Sequence, residues 1–339
     1  MNKKRILTGD RPTGRLHLGH FVGSLKNRVK LQEEYETYVL IADVQALTDN
    51  FEHPEKLAQN IYEVLLDNLA VGLDPNKVIF HVQSQMPETA QLTVYFANLV
   101  TVARLERNPT VKSESAQKGF DKSLPLGFFM YPVSQAADIA VVRAHLVPVG
   151  QDQVPHVEQT REIVRRFNQI YPSSNSGQAI FPEPEALVGE VKRLIGTDGQ
   201  AKMSKSIGNV IYLSDGAPTV RQKVMAMYTD PTRLHPTDPG HVEGNPVFEY
   251  HRAFNKNLAE VDDLAEDYKK GKVGDVEVKE KLVAALNEFL EPIRSRRHQL
   301  EAKGEAYLKE ILIEGTKKAR IMAVETLDLV RQAMKIRYF

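Results

Sequence analysis

The chain has 339 residues, 42% hydrophobic and 26% charged, which suggests about two globular domains and excludes a fibrous or disordered polymer. Lys plus Arg and Asp plus Glu both number 44, so the molecule as a whole is not a polycation built for nucleic acid. Cysteine is absent, which removes disulfides, thiolate zinc sites and a cysteine nucleophile.

The basic start Lys3-Lys4-Arg5 is followed only by Ile6 and Leu7 before Thr8-Gly9-Asp10, too little apolar sequence for an export signal. No run approaches the roughly 18 apolar residues of a membrane helix. The expectation is a cytoplasmic protein with no membrane partner. Residues 5–8 read as a strand, 19–35 as a helix, and 38–42 as an apolar strand covered on both faces. Pro54 opens a helix with the stripe Leu57, Ile61, Leu65 and Leu69, capped near Gly72. A strand at 78–82, a helix at 88–102, a strand at 146–149 and a helix from about 153 to 169 follow. This alternation predicts an α/β fold, a Rossmann-type doubly wound parallel sheet.

Beyond about residue 200 the strand signals stop. Residues 220–228 are helical, followed by a connector rich in proline and glycine (Pro231, Pro236, Pro239, Gly240, Gly244, Pro246). The remainder has helical period, with breaks expected at Gly271 and Gly274, at Pro292 and near Gly315. The last helix places Ile321, Val324, Leu327 and Met334 on one side. The second domain is therefore expected to be all-helical. Residues 292–339 hold eleven basic against six acidic side chains. Such a patch can track phosphates, or it can be a solvated helix face.

The first strand ends in Thr8-Gly9-Asp10-Arg11-Pro12-Thr13-Gly14-Arg15-Leu16-His17-Leu18-Gly19-His20. A parallel sheet binds ligands beyond the carboxyl ends of its strands, and a helix beginning near Gly19 aims free N–H groups there. His17 and His20 supply donors to phosphate or ribose oxygens. Far downstream, Ala201-Lys202-Met203-Ser204-Lys205-Ser206 places two lysines two residues apart in a glycine-bearing loop. Attack on the α-phosphorus of a triphosphate releases pyrophosphate, and lysines at that leaving group stabilise the transition state most. Alone, either segment is common surface. Together they define a nucleotide site.

Tyr131, Gln135 and Asp138 are spaced i, i+4, i+7 and share one helix face. Asp138 lies among Ala136, Ala137, Ile139 and Ala140, where a carboxylate requires a donor. That donor is either a structural group or a substrate's indole N–H or phenol O–H. Val147-Pro148-Val149-Gly150-Gln151-Asp152-Gln153 again joins a strand end to a helix start. Asp152 can accept from ribose hydroxyls, and Gln153 from an ammonium.

Residues 12–20 resemble the HIGH signature of class I aminoacyl-tRNA synthetases, and residues 202–206 match their KMSKS signature letter for letter. Over nearly the whole chain, through Asp43, Asp138, Gly150, Asp152 and Gln153, the sequence resembles the tryptophanyl-tRNA synthetases. The resemblance implies formation of an aminoacyl-adenylate from ATP and L-tryptophan, then transfer to tRNA(Trp), with Mg²⁺ bound through the phosphates and no protein metal ligands. It implies catalytic Lys202, Lys205, His17 and His20. It implies an ATP site of Arg11, Pro12, Thr13, Gly19, His20, Gly150, Gln151, Asp152, Leu194 and residues Lys202, Met203, Ser204, Lys205 and Ser206. It implies an amino-acid site of Leu7, Gly9, Tyr131, Gln135, Asp138, Val147, Val149 and Gln153, with Asp138 on the indole N–H and Tyr131 and Gln153 on the α-amino group. A homodimer is implied as well. So is a division into a catalytic domain (1–195), on which 305–339 packs back, and a helical anticodon-binding domain (196–304). Arg11 and Gln135 depart from many bacterial tryptophanyl enzymes, and a Tyr-x-x-x-Gln-x-x-Asp helix also serves tyrosyl-tRNA synthetases. That alternative stays open at this point, beside a catalytically silent tRNA-binding relative and a nucleotidyltransferase of the same superfamily acting on a small metabolite.

Overall fold

The computed structural model describes residues 3–48, 50–120, 123–172, 179–188, 194–235 and 237–338, with backbone alone for Gln117, Lys118 and Asp152. Strand β1 (Arg5–Asp10) leads through a loop into α1 (Leu18–His20), a π-helical turn (Phe21–Leu25) and α2 (Lys26–Leu31). Strand β2 (Glu36–Ile41) is buried at every position but its first, as a strand covered on both faces requires. Helices α3 (Asp43–Leu47) and α4 (Leu57–Ala70) and strand β3 (Val78–Val82) follow. Next come α5 (Pro87–Ala97), α6 (Val102–Glu106), α7 (Pro109–Lys118) and α8 (Leu126–Val141). Strand β4 (Leu146–Val149), helix α9 (Val154–Ile170) and strand β5 (Glu185–Val188) complete the sheet.

The strand order is β3-β2-β1-β4-β5 and every pairing is parallel. The chain moves outward from β1 to β3 on one side and then crosses to β4 on the other. That reversal opens a crevice beyond the carboxyl ends of β1 and β4. The fold is the expected α/β Rossmann type with a helical part: α10 (Ala217–Met225), α11 (Pro246–Phe254), α12 (Leu258–Lys269), α13 (Asp275–Glu301) and α14 (Gly304–Ala333). Among the described residues no helix is long and apolar enough to cross a membrane.

Several local expectations are corrected. The helix expected over 88–102 stops at Ala97, because Thr101 accepts from the Arg104 N–H at 3.2 Å and starts a new helix. Pro292 does not break α13; buried Leu290 and Ile293 on either side hold the helix against the core despite the missing N–H. Strand β5 escaped notice because it is an edge strand with no buried residue and no apolar alternation.

Gly315 does not break α14 either. It lies where the helix meets edge strand β3, and a Cβ there would stand 1.9 Å from the Phe80 carbonyl oxygen. The neighbouring Thr316 hydroxyl accepts from the Val82 N–H at 3.3 Å, so the helix satisfies part of an otherwise open sheet edge. The inward face of α14 is Leu312, Gly315, Ala319, Ala323, Leu327 and Val330, whereas Ile321 and Val324 are 64% and 51% exposed. The side expected to carry Ile321, Val324, Leu327 and Met334 is therefore split, with Leu327 inward and Ile321 and Val324 outward, and small residues occupy the inward positions around Gly315 and Ala319 where the helix comes close to the sheet.

The basic stretch 292–339 is largely occupied by the protein itself. Arg294 binds Glu291 and the Asp215 carbonyl, Arg296 the Ala70 carbonyl, Arg320 Glu88, and Arg331 Gln91. Arg297, from α13, reaches Asp67 and Glu63 on α4. Arg296, Arg297, Arg320 and Arg331 thus join helices to the sheet domain, a role that neither a phosphate track nor a solvated face anticipates.

Candidate active site

The loop after β1 and the lysine loop are bonded to one another. Leu18 N donates to the Ile211 carbonyl and Leu213 N to the Leu16 carbonyl, both at 3.0 Å, and His17 and Tyr212 form a bridge. Beneath these bonds Leu16, Leu18, Met203, Val210, Ile211 and Leu213 share one buried cluster with the helical part. The Gly19 N–H lies 3.1 Å from His17 Nδ1 and 3.2 Å from Met203 Sδ. A Cβ on Gly19 would stand 2.9 Å from the His17 ring and 3.1 Å from that sulfur, so only glycine admits both. Lys205 Nζ donates to the Gly14 carbonyl at 2.8 Å and to the Thr13 hydroxyl at 3.3 Å, closing the lysine loop over the first.

The loop that carries the lysines is held from behind. Ile195 bridges Lys202, Gly196 N donates to the Ala201 carbonyl at 2.7 Å, and Asn209 accepts from Ser204 N at 2.7 Å. Lys202 itself is exposed, while Lys205 is half-buried.

His17 Nδ1 accepts from Gly19 N, and His20 Nδ1 accepts from His17 N at 3.2 Å, so each ring carries its proton on Nε2. Burial, aided by nearby cations, lowers the His17 pKa to about 2 and the His20 pKa to about 4. Both are neutral donors at neutral pH. Burial likewise lowers the Lys205 pKa to about 8, against the opposing pull of Asp10 and Asp67.

A cleft of about 800 Å³ opens over these groups, within the size range of small-molecule sites. From the first loop Arg11, Thr13, His17 and His20 line it, and from the second Lys202, Met203, Ser204, Lys205 and Ser206. Leu7 and Gly9 of β1, Val147 and Val149 of β4, then Gly150 and Gln153, form the floor. Tyr131, Gln135 and Asp138 all project into it from α8. Pro12, Gly19, Gln151 and Leu194 are not on its wall; the Leu194 carbonyl receives Met203 N at 3.5 Å. The side chain of Asp152 lies outside the described residues.

Asp138 is buried, with 4% of its surface exposed, and burial, reinforced by Asp43, pushes its pKa well above the ordinary carboxylate range. Gln83 Nε2 donates to Asp138 Oδ2 at 2.7 Å, while Gln83 Oε1 receives Gln45 N at 2.9 Å. One carboxyl oxygen is thus fixed, and no described protein donor takes Oδ1. Gln135 Oε1 is buried without a hydrogen-bond partner. An orphan acceptor in a cleft wall calls for a ligand donor.

Sequence reasoning missed three groups. Gln83 orients Asp138. Arg28 lies buried on Asp10, with Nη1 2.6 Å from Oδ2, and burial's upward push on Asp10 is outweighed by that guanidinium and Asn68, leaving its pKa below the ordinary value. Glu114 receives the Tyr131 hydroxyl at 2.9 Å, and that hydroxyl also meets His156 Nε2 at 3.0 Å. Only a strand-end position marked Gln83 in advance.

A cleft at the sheet's switch point, closed by a lysine loop over a histidine loop, defines a class I aminoacyl-tRNA synthetase. The family model "tRNA synthetases class I (W and Y)" matches residues 1–291. The chain is 54% identical to the tryptophan–tRNA ligase of Clostridium longisporum over 100% of this chain and 99% of that one. It is also 54% identical to that of Streptococcus mutans, with both chains covered in full. Among solved structures, the Campylobacter jejuni tryptophanyl-tRNA synthetase complexed with ADP and tryptophan superposes with a TM-score of 0.84 at 33% identity, covering 98% of this chain and 99% of that one. A tyrosyl-tRNA synthetase from Archaeoglobus fulgidus is more distant, with a TM-score of 0.67 at 25% identity, covering 87% and 90%. This chain belongs to the bacterial-type tryptophanyl-tRNA synthetases.

Proposed function

We propose that the cleft holds ATP and L-tryptophan end to end, the triphosphate under the lysine loop and the indole against Asp138. The protein is a tryptophan–tRNA ligase: it forms tryptophanyl-adenylate and pyrophosphate, then transfers tryptophan to tRNA(Trp). The observation that carries the site assignment is the closure of Lys205 onto Gly14 and Thr13 above His17 and His20.

In this reading the tryptophan carboxylate attacks the α-phosphorus in line. Negative charge then grows on the departing pyrophosphate, where Lys205 and Lys202 and the Nε2–H groups of His17 and His20 receive it. Keeping both histidines neutral leaves the lysines as the cations, so ground-state binding is not made excessive. Asp10, held by Arg28, is not available as a metal ligand, so the Mg²⁺ accompanying ATP would be held by phosphate oxygens and supply charge neutralisation there. Asp138 accepts the indole N–H on Oδ1, the oxygen that Gln83 leaves free. Gln83 holds the carboxyl in orientation. Arg11, Thr13 and Gly150, with Met203, Ser204 and Ser206, complete the nucleotide side. Leu7, Gly9, Tyr131, Gln135, Val147, Val149 and Gln153 complete the amino-acid side.

The helical part over 196–304 takes the tRNA anticodon and, with the lysine loop at its start, closes on the catalytic part formed by 1–195 and the returning residues 305–339, and the protein acts as a homodimer in the cytoplasm. ATP–pyrophosphate exchange with each of the twenty amino acids tests the whole reading. Tryptophan should give the signal; tyrosine alone doing so would reassign the pocket to tyrosine.

A further inference from the structure

An amino acid entering this cleft brings an α-ammonium as well as a ring, and a cation moved out of water requires an anion beside it. Among the described side chains three carboxylates line the cleft: Asp10, Glu114 and Asp138. Asp10 is taken by the buried Arg28. Asp138 sits at the ring end and is tied to Gln83. Glu114, half-buried on α7, receives the Tyr131 hydroxyl and forms no ion pair with any described lysine, arginine or histidine.

The hydrogen-bond polarity around Tyr131 points the same way. Asn108 Oδ1 accepts from Thr110 N at 3.0 Å, which turns its amide nitrogen toward Gln159 Oε1 at 2.8 Å and His156 Nδ1 at 3.3 Å. His156 Nδ1 is therefore the acceptor, and Nε2–H donates to the Tyr131 oxygen. The tyrosine O–H is left to donate to Glu114 Oε2. The relay runs from Asn108 through His156 and Tyr131 and ends on a carboxylate in the cleft wall. Tyr131 and Asp138 are seven residues apart on α8, about 10 Å along its axis, so the two ends of a large amino acid can be met separately.

We propose that Glu114 is the counter-charge for the substrate's α-ammonium, steadied in the cleft wall by its bond from Tyr131. The proposal rests on the amino-acid-activating reading above. It makes α7 part of the amino-acid site, and it makes His156 and Asn108 positioning residues that orient the Tyr131 hydroxyl.

The test is titration calorimetry of L-tryptophan and of indole-3-propionate, which is the same molecule without its amino group, against wild type and Glu114→Gln. Glutamine preserves the size and the acceptor for Tyr131 and removes only the charge. The expected result is tryptophan affinity lowered about 10–100-fold, as loss of a charged hydrogen bond should give, with indole-3-propionate binding unchanged. Unchanged tryptophan binding would overturn the proposal, and so would equal losses for both ligands, which would make Glu114 a structural partner of Tyr131. If Glu114→Gln does not fold by circular dichroism, Glu114→Asp decides. It keeps the charge and should retain selectivity for tryptophan over indole-3-propionate, and losing that selectivity would count against the role. Wild type failing to bind tryptophan would overturn the amino-acid reading itself, a separate outcome.

Discussion

Lys205 and Gly14 are 191 residues apart in sequence and joined by a hydrogen bond of 2.8 Å in the fold. The bond closes a cationic loop over the mouth of a parallel sheet, and the chemistry proposed here depends on that closure.

Lys205→Ala should lower tryptophan-dependent adenylate formation about 10²–10³-fold, the usual loss for one leaving-group donor. The fall should lie mainly in kcat, since the charge it meets develops in the transition state. Steady-state ATP–pyrophosphate exchange measures both parameters, and a purely KM effect would assign Lys205 to ground-state binding alone.

The pH profile carries a signature of the same residue. With a pKa near 8, Lys205 is a cation below that pH and loses its charge as pH rises through it. The kcat/KM for ATP, which reports the free enzyme, should therefore fall on the alkaline side of about pH 8. Lys205→Arg keeps its charge at any working pH and should remove that limb while lowering the plateau. With pKa values near 2 and 4, His17 and His20 should contribute no limb around neutrality.

Asp138→Ala should reduce tryptophan affinity or turnover severely while sparing ATP binding, because the indole N–H then meets no acceptor. Gln83 would also lose its partner, so Gln83→Ala should give a milder defect of the same kind through misorientation of Asp138. Equilibrium dialysis with each substrate separately resolves the two effects. Normal tryptophan use by Asp138→Ala would remove the residue from the site.

Arg297 joins α13 to Asp67 and Glu63 of α4, and Asp67 in turn accepts from Leu16 N at 2.6 Å, at the edge of the histidine loop. Arg297→Ala strands two carboxylates, one of them fully buried, and should destabilise the protein by about 3–5 kcal/mol. Chemical denaturation measures this, and a change near zero would show that water replaces the guanidinium.

Gly315→Ala should force α14 away from β3, since its Cβ would stand 1.9 Å from the Phe80 carbonyl. Overpacking of this kind costs about 1–3 kcal/mol or more. The melting temperature should drop although alanine is the better helix former.

The two signature loops and the shared face of Tyr131, Gln135 and Asp138 were legible in the sequence because each is local: a motif of a few residues, or one helical period. The parallel sheet was legible for the same reason, through apolar runs such as that ending at Ala42. Long-range pairing was not. Gln83 with Asp138, Arg28 with Asp10 and Arg297 with Asp67 each join distant segments, and nothing in a polar residue's immediate surroundings names its partner. Gly315 and Pro292 were read as helix breakers by propensity, and tertiary packing overrode both. Eleven basic residues near the C-terminus left a phosphate track and a solvated face both open, yet several of those arginines hold the protein together.

The most direct measurement is a crystal structure of the protein with a non-hydrolysable ATP analogue and L-tryptophan. The triphosphate should lie between Lys205 Nζ and the Nε2 atoms of His17 and His20, with the indole N–H on Asp138 Oδ1. A nucleotide bound outside this cleft, or an indole seated away from Asp138, would contradict the account.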